Sequence, residues 1–117
     1  MGVNIYLNRC LNKANIDCNY IRVFNVGSFE TIFYINFTFR SKKILLQSDS
    51  ISQGKDYRLC IPLTATNIKL TIDAYENSQF HVVFNNFITL NNNRCFVISG
   101  TFLNPSYTEM PCNNIYN

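Results

Sequence analysis

Apolar and polar residues alternate with a period of two along much of this chain. In "ETIFYINFTFR", Thr31, Phe33, Ile35, Phe37 and Phe39 fall on one face and Ile32, Tyr34, Asn36, Thr38 and Arg40 on the other. That spacing predicts a β-strand with one apolar and one mixed face. "NIKLTIDAY" repeats it, with Ile68, Leu70, Ile72 and Ala74 facing in and Lys69, Thr71 and Asp73 facing out. Shorter strands are predicted at "NYIRVFNV", "KILLQS", "YRLCIP", "QFHVVF", "NFITL" and "RCFVISGTFL". The breaks between them carry turn chemistry: "VGS" at 26–28, "SDSISQGKD" at 48–56, "YENSQ" at 75–79 and "NNN" at 91–93. No window sustains a helical period. Many short strands at this spacing predict an all-β fold, a single antiparallel β-sandwich.

The first residues depart from this rhythm. "VNIYL" alternates, with Val3, Ile5 and Leu7 on one side, but "NRCLNKANIDC" has no pattern and holds two cysteines. The expected organisation is an N-terminal arm over residues 1–18, followed by a β-sandwich domain over residues 19–117.

Composition narrows the function. Charged residues make up 15% of the chain and the net charge is +3, with only Lys42 and Lys43 adjacent among the cations. A nucleic-acid-binding surface clusters its basic residues, so no nucleic-acid partner is expected. The opening segment lacks the apolar core of a secretory leader. An extracellular or spore- or cell-surface location would therefore be reached without a classical signal peptide.

Five cysteines are present: Cys10, Cys18, Cys60, Cys95 and Cys112. An odd number leaves at least one free or joined to another chain. There is no C-x-x-C and only one histidine, which argues against zinc. Cys60 and Cys95 lie in apolar runs, as inert buried thiols do. Cys10, Cys18 and Cys112 lie in polar terminal segments and are read as available for disulfides.

Catalysis requires a nucleophile with a base, or paired carboxylates. His81 stands alone inside a strand, and the seven acids are dispersed. The expectation is no enzyme, no catalytic residue, no metal and no cofactor.

From Gly27 onward, several blocks carry a family resemblance. "VGSFETIFYINFTF" resembles a G-A-Y-V-A-R-F-type opening strand, and "IPLTATNIKLTI" resembles an I-P-L…A-R-N-V block through Ile61, Pro62, Leu63, Asn67 and Ile68. "FHVVFNNFITLNNNRCFVISGTFLNP" ends on a motif similar to W-G-T-T-L-x-P, matched by Gly100, Thr101, Leu103 and Pro105. Together they resemble the C-terminal, membrane-binding β-sandwich of the cholesterol-dependent (thiol-activated) cytolysins, here as a stand-alone domain. The family's Trp-rich undecapeptide corresponds to "AYENSQFHVVF", Ala74 to Phe84, which has neither Trp nor Cys. The family's sterol-recognising Thr-Leu pair corresponds to Phe102-Leu103. The resemblance thus implies the fold and carries over neither pore formation nor cholesterol recognition.

Two functional expectations follow. The main one is a structural subunit of a self-assembling, disulfide-stabilised extracellular fibre, a plan that also resembles endospore appendage subunits. Val3, Ile5 and Leu7 would add as a strand to the open sheet edge of another copy. Cys10 and Cys18 would donate intersubunit disulfides to Cys112, Cys60 or Cys95. The alternative is a membrane- or glycan-binding module whose tip carries Phe80, Phe84, Phe102 and Leu103.

Overall fold

The computed structural model describes residues 17–114. The chain forms eight strands: β1 Cys18–Asn25, β2 Glu30–Phe39, β3 Lys42–Gln47, β4 Lys55–Pro62, β5 Thr66–Glu76, β6 Gln79–Phe87, β7 Arg94–Thr101 and β8 Asn104–Met110. A short 3-10 turn, Cys112–Asn114, follows. The strands make two four-stranded sheets, ordered β4-β1-β7-β8 and β3-β2-β5-β6. All pairings are antiparallel except β1 with β7, which run parallel.

The period-two patterns set the layers. Phe33, Ile35, Phe37 and Phe39 from β2 and Ile68, Leu70, Ile72 and Ala74 from β5 are buried, as their alternation requires. They meet Ile21, Val23, Leu59, Ile61, Phe96 and Ile98 from the other sheet. Each large side chain withdrawn from water in this way contributes about 1.5–3 kcal/mol. Thr31 shares the inward face; its hydroxyl is buried with no hydrogen-bond partner among the described residues.

Two strand predictions are revised. "QFHVVF" and "NFITL" belong to one element up to Phe87, because β6 pairs continuously with β5 apart from one irregularity at Ile72/Asp73. "RCFVISGTFL" stops at Thr101, and the chain turns through Phe102-Leu103 into β8. Strand β8, "NPSYTEM", has no apolar alternation because it lies at a sheet edge. The same position accommodates Pro105, which cannot donate to a ladder.

Cys18 and Cys112 are in disulfides, as expected, but their partners Cys60 and Cys95 are not inert thiols and both bonds lie within one chain. Cys18 is the first residue of β1, opposite Pro62, rather than the end of an arm. It is disulfide-bonded to Cys60 of β4 within the same chain, with Cα atoms 5.7 Å apart. Cys95 and Cys112 are likewise bonded to each other, with Cα atoms 5.2 Å apart. Strand pairing brings Cys18 beside Cys60, and the return of β8 along β7 delivers Cys112 to Cys95. These four sulfurs are therefore consumed internally and are not links to a neighbouring subunit. Cys10 and the docking residues Val3, Ile5 and Leu7 lie outside the described residues.

Candidate surface-binding tip

Strand register defines one end of the sandwich. Asn25 pairs with Lys55 and Ile98, Glu30 with Tyr75, Glu76 with Gln79, and Thr101 with Asn104. The connections at 26–29, 48–54, 77–78 and 102–103 therefore gather together. A buried asparagine fixes the group. The Asn25 side-chain amide donates to the carbonyls of Phe29 (2.5 Å) and Ile51 (3.0 Å), and its oxygen accepts from the Gly27 amide (2.9 Å). The Ser28 amide donates to the Gly100 carbonyl at 3.3 Å, tying the β1–β2 loop to the β7–β8 hairpin.

The hairpin tip separates its two apolar residues. Phe102 is 7% exposed and belongs to the core, whereas Leu103 is 82% exposed. Phe102 packs edge-on against His81, ring centroids 4.5 Å apart. Gly100 permits this arrangement. Its φ is +93°, and a Cβ there would lie 2.5 Å from the carbonyl oxygen of Asn104. The positive φ is thus carried by glycine and not by the two bulky tip residues.

The four tip residues expected from the sequence consequently part company. Leu103 and Phe80 are exposed. Phe102 is a core residue and is corrected as such. Phe84 is half-buried between Phe96 (5.4 Å) and Tyr107 (5.1 Å), where it plugs the seam between the two sheets, so it too is not a tip residue. Val26 and Val82 are exposed apolar residues that the sequence reading missed. Val82 shares its parity along β6 with Phe80, a signal that was legible. Val26, the last residue of the predicted strand "NYIRVFNV", lies one residue past the end of β1 at Asn25, in the loop that leads to β2.

The surroundings are acidic. Glu30 accepts a hydrogen bond from the Ser50 hydroxyl at 2.6 Å and, with Glu76, borders a cavity of about 420 Å³ that Ser28, Phe29, Gln53, Tyr75 and Asn77 also line. Asp73 stands on the outer face of β5, between Ile32 of β2 and Val82 of β6. Its buried Oδ1 has no hydrogen-bond partner among the described residues, and burial raises its pKa above the ordinary carboxylate value. His81 is in ring contact with Phe102. Among the described residues, no three His, Cys, Asp or Glu side chains gather as a metal site.

No family model and no curated protein sequence matches the chain. Solved structures do match its fold. The membrane-binding domain of pneumolysin superposes with a TM-score of 0.61 at 14% identity, covering 81% of this chain and 97% of that domain. A non-hemolytic pneumolysin from Streptococcus pneumoniae gives 0.60 at 14% identity, covering 81% of this chain and 24% of the toxin. Listeriolysin O gives 0.59 at 18% identity, covering 81% and 22% respectively. The chain thus spans about a quarter or less of the length of these full toxins and nearly all of the isolated domain. Its fold is the β-sandwich of the cytolysin membrane-binding domain.

Proposed function

We propose that this domain is a surface-binding module that meets a membrane end-on through the β7–β8 turn. The observation that carries the reading is the 82% exposure of Leu103 beside a Phe102 anchored in the core. An apolar side chain held outward by a buried neighbour is poised for insertion, and Val26, Phe80 and Val82 add flanking apolar surface. The likeness in fold to the membrane-binding domain of pneumolysin supports a membrane as that surface.

Magnitudes set the character of the contact. Full burial of one leucine is worth about 1.5–3 kcal/mol, whereas micromolar affinity needs about 8 kcal/mol. A single domain therefore binds weakly and reversibly, and tight attachment requires several copies or a second contact. Glu30 and Glu76 at the tip oppose anionic headgroups, so a zwitterionic bilayer is the favoured surface. No hydroxyl stands at position 102 to meet a sterol, and binding is expected without cholesterol.

Flotation with phosphatidylcholine vesicles, with and without cholesterol, of the domain displayed in four copies on a streptavidin tetramer tests this, since one copy alone binds too weakly to be retained. Wild-type protein should float with both and Leu103→Asp with neither; equal flotation of the variant would exclude the tip. Fibre assembly through Val3, Ile5 and Leu7 draws no support from the described residues, whose cysteines are closed within one chain. The two disulfides do support an oxidising, extracellular or surface setting.

A further inference from the structure

The opposite end of the β3-β2-β5-β6 sheet carries a second feature. Between Asn36 and Thr38 the β2–β5 register slips, so that Phe37 faces both Asn67 and Ile68. Asn67 takes a left-handed conformation, φ +53°, uncommon for a residue with a side chain. Bulges of this kind re-aim side chains and recur beside binding sites. Here the bulge borders a cavity of about 350 Å³, lined in part by Asn36, Thr38, Lys43, Asn67, Lys69 and Phe87. That volume falls within the range of small-molecule sites, roughly 300–1,000 Å³.

The lining has a definite chemistry. Asn36, Lys69 and Phe87 form one row across β2, β5 and β6, and Lys43 stands opposite Thr38 on β3. Phe87 is 65% exposed although aromatic, and the Lys69 ammonium lies 5.6 Å from its ring centroid. Arg40 and Lys42 continue the positive charge onto the β2–β3 turn. No Asp or Glu occurs in residues 31–48 or 57–72, so none of these strands brings an acid to this end. The result is two lysines, two side-chain amides, a hydroxyl and an exposed aromatic ring with the Lys69 ammonium over one face, around one hollow.

We propose that this hollow binds an acidic saccharide, one bearing a carboxylate or a sulfate. Lys43 and Lys69 hold the anionic group, Asn36, Asn67 and Thr38 bond the ring hydroxyls, and Phe87 stacks on the apolar face of the sugar. Bare phosphate or sulfate would leave the aromatic face and the amides unused. The site lies at the end remote from Leu103, so a tip seated on a membrane leaves it facing away and able to engage a second surface.

Calorimetric titration of the purified protein with sialyllactose, a heparin-derived tetrasaccharide, lactose and inorganic sulfate tests the assignment, alongside sedimentation with phosphatidylserine vesicles. At least one of the two acidic saccharides should bind saturably and lactose should not. Lys69→Gln and Phe87→Ala should each weaken binding tenfold or more, with an unchanged unfolding midpoint showing that the fold is intact. The proposal is overturned if neither acidic saccharide binds or if lactose binds equally well. It fails equally if sulfate alone matches the saccharides, which would mean an ion site only. A loss produced as strongly by Arg40→Gln as by Lys69→Gln would reduce the effect to net charge. Sedimentation with phosphatidylserine vesicles that depends on Lys69, without saccharide binding, would reassign the hollow to lipid headgroups.

Discussion

His81 of β6 and Phe102 of the β7–β8 turn belong to different sheets, yet their rings meet edge-on at 4.5 Å. The contact clamps the hairpin tip to the opposite layer and leaves Leu103 outside. It divides two adjacent apolar residues into a structural one and an available one. Phe102→Ala should therefore cost about 3 kcal/mol in urea unfolding, at the lower end for a core phenylalanine. Leu103→Asp should change stability by less than about 0.5 kcal/mol, as exposed positions do, while abolishing vesicle flotation. The reverse pattern would mean that the tip is built the other way round.

The disulfides close loops of different span, with sequence separations of 17 and 42. In the chain-entropy view the two are worth about 3 and 4 kcal/mol respectively. Cys60→Ser should lower the unfolding midpoint more than Cys112→Ser. Non-reducing electrophoresis of Cys10→Ser protein should give one monomer band, because the other four sulfurs are paired within the chain.

Asp73 predicts a pH response. Burial raises its native pKa, so the unfolded chain, titrating near the ordinary value of about 3.9, releases the proton more readily. Between that value and the raised native one, the native state binds more protons and stability falls as pH rises. Asp73→Asn should stabilise the protein at neutral pH, by at most about 1 kcal/mol given partial solvent screening. It should also flatten that part of the pH profile in denaturant titrations at several pH values.

Thr31 offers a simpler gain. Its hydroxyl is buried in the core without a partner among the described residues. Replacing an unsatisfied buried donor by an isosteric methyl recovers about 1 kcal/mol or more. Thr31→Val should raise the thermal midpoint without altering flotation.

Two hairpin turns hold residues with side chains in left-handed geometry: Arg40-Ser41 (φ 51° and 65°) and Asn77-Ser78 (φ 51° and 64°). Both central residues positive is the type I′ pattern, which favours glycine at the second position. Ser41→Gly and Ser78→Gly should each stabilise by roughly 1 kcal/mol, the usual relief of left-handed strain, measurable by chemical denaturation.

Strands β2 and β5 were legible residue by residue because each buries one face completely, and burial imposes period two. Strand β8 was not, since an edge strand facing solvent leaves "NPSYTEM" without a pattern. The tip was half legible. The closing motif pointed to Phe102-Leu103, but adjacent residues in a turn have no parity to say which one faces inward; that is decided by His81 on another sheet. The cysteine pairs were hidden for a similar reason. Cys18 meets Cys60 only through the β1–β4 ladder, and local context alone made one look terminal and the other inert. The hollow beside Lys69 depends on a one-residue slip in register, to which composition is blind.

The parallel pairing of β1 with β7 bears on how the chain comes into being. Residues 94–98 lie between the ladders of β1 and β8, so β1 keeps an unpaired edge until nearly the whole domain has been synthesised. A nascent or truncated chain ending before Arg94 would present that edge, with buried-type residues such as Ile21 and Val23 beside it, to any strand within reach. Messages or proteolytic fragments that stop short of β7 should thus yield aggregates in place of a smaller sandwich, and ribosome-bound chains would need shielding until the last two strands emerge.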